Sequence, residues 1–184
     1  MGMPRTAPWT REQVLALPED GNRYELIDGA LLVTPSPRVP HQSVAMALCG
    51  KLIPHVDAHR LGRVLSSPAD LFGRLGQLAQ PDIFVLPTRA MSERWAELPD
   101  PILAIEVLSP STARYDRVTK RRFYQRAGVP EYWIVDLDAR TVERWRPGDE
   151  RPEILESELS WVAREGAPPL SIDLPRLFAD ALDG

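Results

Sequence analysis

Cysteine is nearly absent from this 184-residue chain. Cys49 stands alone, so neither an internal disulfide nor a cysteine-clustered metal site can form. A reducing cytoplasm is the expected compartment. Lysine is almost as scarce: of 22 basic residues only Lys51 and Lys120 are lysines. No stretch approaches the roughly 18 consecutive apolar residues of a membrane span, and Met1 to Trp9 carries no apolar core of a secretory signal. No membrane partner is expected. Glycine-rich phosphate loops of the common patterns are missing, as is the Gly-x-Ser-x-Gly elbow of an esterase. Nor is positive charge in excess, because 26 acids against 22 bases leave a net charge of −4. The chain as a whole is not a general polyanion binder. No repeat, low-complexity tract or linker divides it, and one domain over residues 1–184 is expected.

The rest is organised around Ile102 to Asp136. Ile102 to Leu108 is apolar and partly β-branched, broken only by Glu106, as in a strand buried on both faces. A turn follows at Ser109 to Thr112, with Ser111 or Thr112 as N-cap. Helical spacing runs to about Ala127, Gly128 ends the helix, and Pro130 forbids its continuation. Tyr132 to Val135 is a second strand, so the stretch reads as a βαβ unit. A carboxylate inside its first strand requires an explanation, since an unpaired buried charge is costly.

Elsewhere, Thr10 and Gln13 form a capping box for a short helix to about Leu17. Tyr24 to Ile27 and Ala30 to Thr34 read as a hairpin across Asp28-Gly29, with Glu25 and Ile27 on one face. A helix of about fifteen residues starts at His41, its core stripe Val44, Leu48, Leu52 and Val56. Strands are expected at Arg63 to Ser66, Ala69 to Phe72, Asp82 to Leu86 and Thr141 to Trp145. Another lies near Ile154-Leu155, with Trp161-Val162 a further candidate. Pro87-Thr88 opens a short helical connection past Trp95. Leu170, Ile172, Leu174, Leu177 and Phe178 pack the C-terminus onto the core.

Three acids sit in or beside apolar strands: Glu25 in YELI, Asp82 before IFVL, and Glu106 in ILAIEVL. Each alone reads equally as a strand-end acid that reaches solvent or an arginine. Converging, they supply the hard oxygen ligands that magnesium requires, and such an ion polarises phosphoryl oxygens and activates water. Asp116, Lys120 and Tyr124 follow at i, i+4 and i+8 along one helix face. Lys120 is either an exposed partner of Asp116 or a fixed cation for developing negative charge. Arg117, Arg121 and their neighbours Arg114, Arg122 and Arg126 crowd the same helix, where they either hold phosphates or form a solvated face. His41 either touches substrate or stabilises these acids, or else caps the helix or packs; Tyr124 is part core and part site wall. Asp70 is a further candidate for the acidic cluster, and His55 and His59 read as a surface pair.

Pro81-Asp82 followed by Glu106 on the next buried strand resembles the PD-(D/E)XK nuclease signature. More narrowly, YELIDG, QPDIFVL, EVLSPST, the Asp116-Lys120-Tyr124 helix and GVPEYWIVD resemble, in this order, the Uma-type restriction endonuclease family of bacteria. The resemblance implies an α/β restriction-endonuclease-like core of three layers, a central mixed sheet flanked by helices. It implies Asp82 and Glu106 as metal ligands, the Val107 carbonyl as a third, and Glu25 as the upstream acid. It also implies magnesium, or manganese in its place, DNA as partner, and a homodimer by analogy with double-strand cutters. One departure stands out: Leu108 occupies the place of the superfamily's lysine, and the resemblance to the narrower family implies that Lys120 on the following helix takes its role. The expected function is metal-dependent DNA cleavage. The alternatives are a non-catalytic nucleic-acid-binding or assembly module, and a hydrolase of another phosphate ester.

Overall fold

The computed structural model describes residues 7–87, 92 and 94–183. Thr10 caps α1 (Arg11–Leu15) through the expected reciprocal box with Gln13. Strands β1 (Arg23–Ile27) and β2 (Ala30–Thr34) pair antiparallel. Asp28 and Gly29 between them both take positive φ, 52° and 77°, as a two-residue hairpin turn of this hand demands. Helix α2 (Val39–Ala58) is 20 residues long, longer than the spacing suggested. It starts two residues before His41, with Pro40 in its first turn where no N–H is needed.

Six strands build the central sheet in the order β3 (Arg63–Ser66), β4 (Ile83–Leu86), β5 (Leu103–Val107), β6 (Glu131–Asp136), β7 (Thr141–Trp145) and β8 (Glu153–Leu155). Only β5 and β6 run parallel, which makes the sheet mixed. The crossover between them is helical, as a parallel neighbour requires. It consists of α3 (Ala113–Tyr115), a π-helical stretch Asp116–Lys120, and α4 (Arg121–Arg126), end to end. Strands β9 (Glu158–Trp161) and β10 (Leu170–Asp173) form a separate pair, and α5 (Leu174–Leu182) closes the chain.

Alternation along the strands divides the core into two. Ile83, Val85, Leu103, Ile105, Val107, Trp133 and Val135 pack on the stripe Val44, Leu48, Leu52 and Val56 and on Leu174, Leu177 and Phe178. On the other face Phe84, Ala104, Tyr132 and Ile134 meet Ile27, Phe123 and Tyr124. Helices on one side, sheet, and crossover helix with hairpin on the other give three layers. Glu106 lies between Ala104 and Leu108 in this alternation, so it points at the crossover helix.

Several expectations need correction. Ala69 to Phe72 is not a strand: Leu71 makes an isolated bridge to Ala79, and Phe72 turns left-handed at φ 61°. Asp82 lies just outside β4. Thr112 precedes α3 but makes no side-chain capping bond, because its hydroxyl pairs with that of Ser109 at 2.9 Å. The expected connection from Thr88 falls partly outside the described residues, and a 3₁₀ turn is found at Trp95–Glu97.

Candidate active site

β5 carries Glu106 toward the crossover helix, which brings Lys120 over it. Lys120 Nζ donates to Glu106 Oε1 at 2.8 Å, and lies 2.9 Å from Glu25 Oε2 and 3.5 Å from Asp116 Oδ1. Glu25 reaches this point from β1, and its other oxygen accepts the Gln80 backbone N–H at 2.8 Å. Tyr124, one turn beyond Lys120, donates its hydroxyl to Glu106 Oε1 at 3.3 Å. Lys120 is 1% exposed, Glu25 0%, Glu106 2% and Asp116 2%. The reading of Lys120 as an exposed Asp116 partner is thereby excluded. A compact ammonium with three donors suits a point where three carboxylates converge.

Asp82 stands beside this cluster. The β4–β5 register, Ile83 opposite Ile105, continues to set Asp82 opposite Glu106. Two like charges at such cross-strand positions repel, and Asp82 is balanced by its own partners. Arg23 Nη1 donates to Oδ1 at 2.7 Å, the Val107 N–H donates to Oδ2 at 2.9 Å, and His41 Nε2 lies 3.0 Å from Oδ2. Asp82 and Glu106 face a cleft of about 260 Å³, whose rim includes Arg23, His41 and Val107.

Protonation follows from these contacts. Burial raises the Asp82 carboxyl, but the His41 hydrogen bond and the Arg23 charge outweigh it and hold Asp82 well below the usual aspartate range. Burial pushes Glu106 far up, and Lys120 offsets this only in part against Asp82, Asp116 and Glu25. Burial likewise raises Asp116, again with Lys120 opposing. Lys120 itself is pulled down by burial, yet Glu106, Glu25 and Asp116 keep it well above an ordinary lysine. The site thus sets Asp82, held firmly ionised, beside Glu106, which burial pushes toward its protonated form and which the Lys120 ammonium binds.

The expected arginines lie differently. Arg117 donates to Glu143 at 2.6 Å and to Asp136 at 2.7 Å, along a neighbouring cleft that His41 also lines. Arg121 stacks over Trp145 at 4.6 Å and bonds Gln125, apart from the acids. Asp70 accepts from Gln80 Nε2 at 2.8 Å and does not touch Lys120. The His55 and His59 rings contact each other edge to face. Arg23 is the functional candidate that the reading of the acids passed over. Its signal was present, since Arg23, Glu25 and Ile27 alternate onto one face of β1.

A divalent ion would find oxygen donors of the right kind here in Asp82, Glu106 and Val107. Among the described residues no three His, Cys, Asp or Glu side chains are arranged to hold a metal. Two carboxylates are therefore the side-chain share, with backbone and water oxygens for the rest. Asp82 Oδ2 already has two partners, His41 and the Val107 N–H, whereas Oδ1 accepts only from Arg23 and keeps a lone pair for an ion.

Comparison with known proteins fits this geometry. No curated protein matches the chain. Among solved structures, the crystal structure at 1.96 Å of a "putative nuclease belonging to DUF820" from Anabaena variabilis ATCC 29413 superposes with a TM-score of 0.79 at 25% identity. The match covers 95% of this chain and 100% of that one. The Uma2 family model, described as "Putative restriction endonuclease", matches residues 11–175. With that much of its length matched, the chain belongs to the Uma2 family.

Proposed function

We propose that this protein is a metal-dependent nuclease that hydrolyses phosphodiester bonds in DNA. The observation that carries the reading is the buried convergence of Glu25, Glu106 and Lys120 beside Asp82 at the edge of an open cleft. Structural ion pairs rarely gather three carboxylates on one buried ammonium, because the excess charge is costly.

Asp82 and Glu106, with the Val107 carbonyl, are the groups to hold magnesium or manganese. Such an ion supplies Lewis-acid polarisation of the phosphate and a more acidic water. The chain's own residues do the remaining work. Lys120 acts through Glu106, whose carboxylate it fixes and keeps available to the ion and its water. Glu25 and Asp116 hold Lys120 in place, and Tyr124 orients Glu106. Arg23 and His41 keep Asp82 ionised and line the path of the phosphate backbone. Leu108 leaves no cation on β5, so the crossover helix provides it.

A second reading, a nucleic-acid-binding module that keeps the fold, has one observation in its favour: Asp82 is already satisfied by Arg23 and His41. Calorimetric titration with manganese separates the two, first alone and then with a short duplex present. The nuclease reading predicts binding by the wild type that Asp82→Ala weakens at least about tenfold, as loss of a ligand does. Duplex binding with no manganese uptake by either protein would favour the module.

A further inference from the structure

A second cavity, of about 410 Å³, adjoins the cleft. Arg23, residues 34–37, His41 and Asp82 line both spaces and form the wall between them. The remaining walls are largely apolar, from Ala45, Met46, Pro68 and Ile83, while Glu19, Asn22, Gln42 and Ser66 place polar groups among them. This size and this sparse polar lining are those of small-ligand sites, about 300–1,000 Å³. The acids and Lys120 use only its Asp82 edge.

Two polar atoms of the shared wall have no partner among the described residues: Thr34 Oγ1 and His41 Nδ1. Their residues are only 7% and 8% exposed. Both atoms are closed off from the cavity itself, so they mark a polar wall behind its surface, and Arg23, Asn22, Gln42 and Ser66 are the groups that line it. Thr34 stands opposite Arg23 in the hairpin register, so a free hydroxyl and a guanidinium occupy one rung. The wall is thus suited to an anion on the Arg23 side and to a polar-edged, flat group within.

We infer that this cavity receives one unpaired nucleobase of the substrate, with its phosphate at Arg23 and the scissile bond in the cleft. The inference rests on the nuclease reading. A base within a duplex is stacked on both faces and paired at its edge, so it must leave the stack to enter a side pocket of this kind. Apolar walls then replace stacking, and Asn22 and Gln42 meet the freed edge, as in single-strand recognition. The chain accordingly selects single-stranded or locally unpaired nucleic acid over intact duplex.

The test uses the full chain with methyl-labelled methionine, in chelator so that no bond is cut. Thymidine 5′-monophosphate and 2-deoxyribose 5-phosphate are titrated separately while the Met46 methyl resonance is followed. The nucleotide should shift Met46 saturably and bind at least tenfold tighter than the sugar phosphate. Gln42→Trp, at an exposed position of α2, should erase that preference and leave sugar-phosphate affinity unchanged. Equal binding of the two ligands, or no shift at Met46, overturns the inference. Cleavage that persists in a protein without base preference removes this pocket and leaves the nuclease reading standing. Base preference without cleavage of any nucleic acid supports the pocket and removes that reading.

Discussion

Lys120 is the residue on which the others depend. Its ammonium is within 3.5 Å of three carboxylates and has almost no exposure to water. Removing it leaves Glu25 and Glu106 buried and facing each other without a counter-charge. Lys120→Met should therefore destabilise the fold by about 3–5 kcal/mol, the cost of breaking a buried pair from one side. Urea denaturation of the two proteins measures it, and a change below about 1 kcal/mol would show that the carboxylates do not depend on this cation. Asp116 gives a pH-dependent counterpart. Its folded pKa is raised above the ordinary 3.8, first by burial. The folded chain therefore holds this proton more tightly than the unfolded chain. The associated stability is complete below about pH 4 and is lost as pH rises through the folded value. Asp116→Asn has no proton to lose, so the wild type should fall in stability relative to the variant as pH rises above about 4. Urea midpoints across that range give the difference, and a gap that stays constant or moves the other way contradicts the assignment.

At the scale of elements, the hairpin delivers Arg23 and Glu25 to the site, and its turn is the weak point. Gly29 takes φ 77°, and a Cβ there would lie 2.6 Å from Pro8 Cβ. Gly29→Ala should cost about 1–2 kcal/mol from the left-handed backbone alone, and more from the clash. Thermal melting should register it, and an unchanged melting temperature would mean that the turn relaxes freely. The asparagine-like tolerance of Asp28 and the glycine beside it made this turn readable in the sequence. So did the βαβ unit, because β-branched runs, Gly128 and Pro130 bound it clearly. The acids were legible for the same reason: a charge inside an apolar strand stands out. What escaped was set by tertiary contact. Arg23 was lost among twenty arginines, and only the packing of β1 against β4 directs it at Asp82. The π-helical stretch left no periodic signature, since Asp116 and Lys120 sit at the same spacing in an ordinary helix. Leu71 and Phe72 are apolar enough for a strand, but the left-handed Phe72 and a single bridge to Ala79 hold them as a loop.

For the whole molecule, the net charge of −4 and the arginine-rich helix appeared to pull in opposite directions. The fold resolves this by using the arginines at home. Arg117 neutralises Asp136 and Glu143, Arg126 pairs with Asp28, and Arg121 lies on Trp145. Arg114 and Arg122 remain exposed on that helix without an ion pair among the described residues. Arg38, exposed in the lining of the cleft, is a further cation there beside Arg23, which is held by Asp82. The most direct test of the central claim is cleavage of labelled single-stranded and duplex DNA in magnesium or manganese, by the wild type and by Glu106→Gln. Glu106→Gln keeps the size of the side chain but cannot offer a full carboxylate to a cation. The account predicts cleavage by the wild type that chelator abolishes, and a loss of at least about 100-fold in the variant. Equal cleavage by both proteins, or DNA binding with no cleavage in either metal, would contradict it.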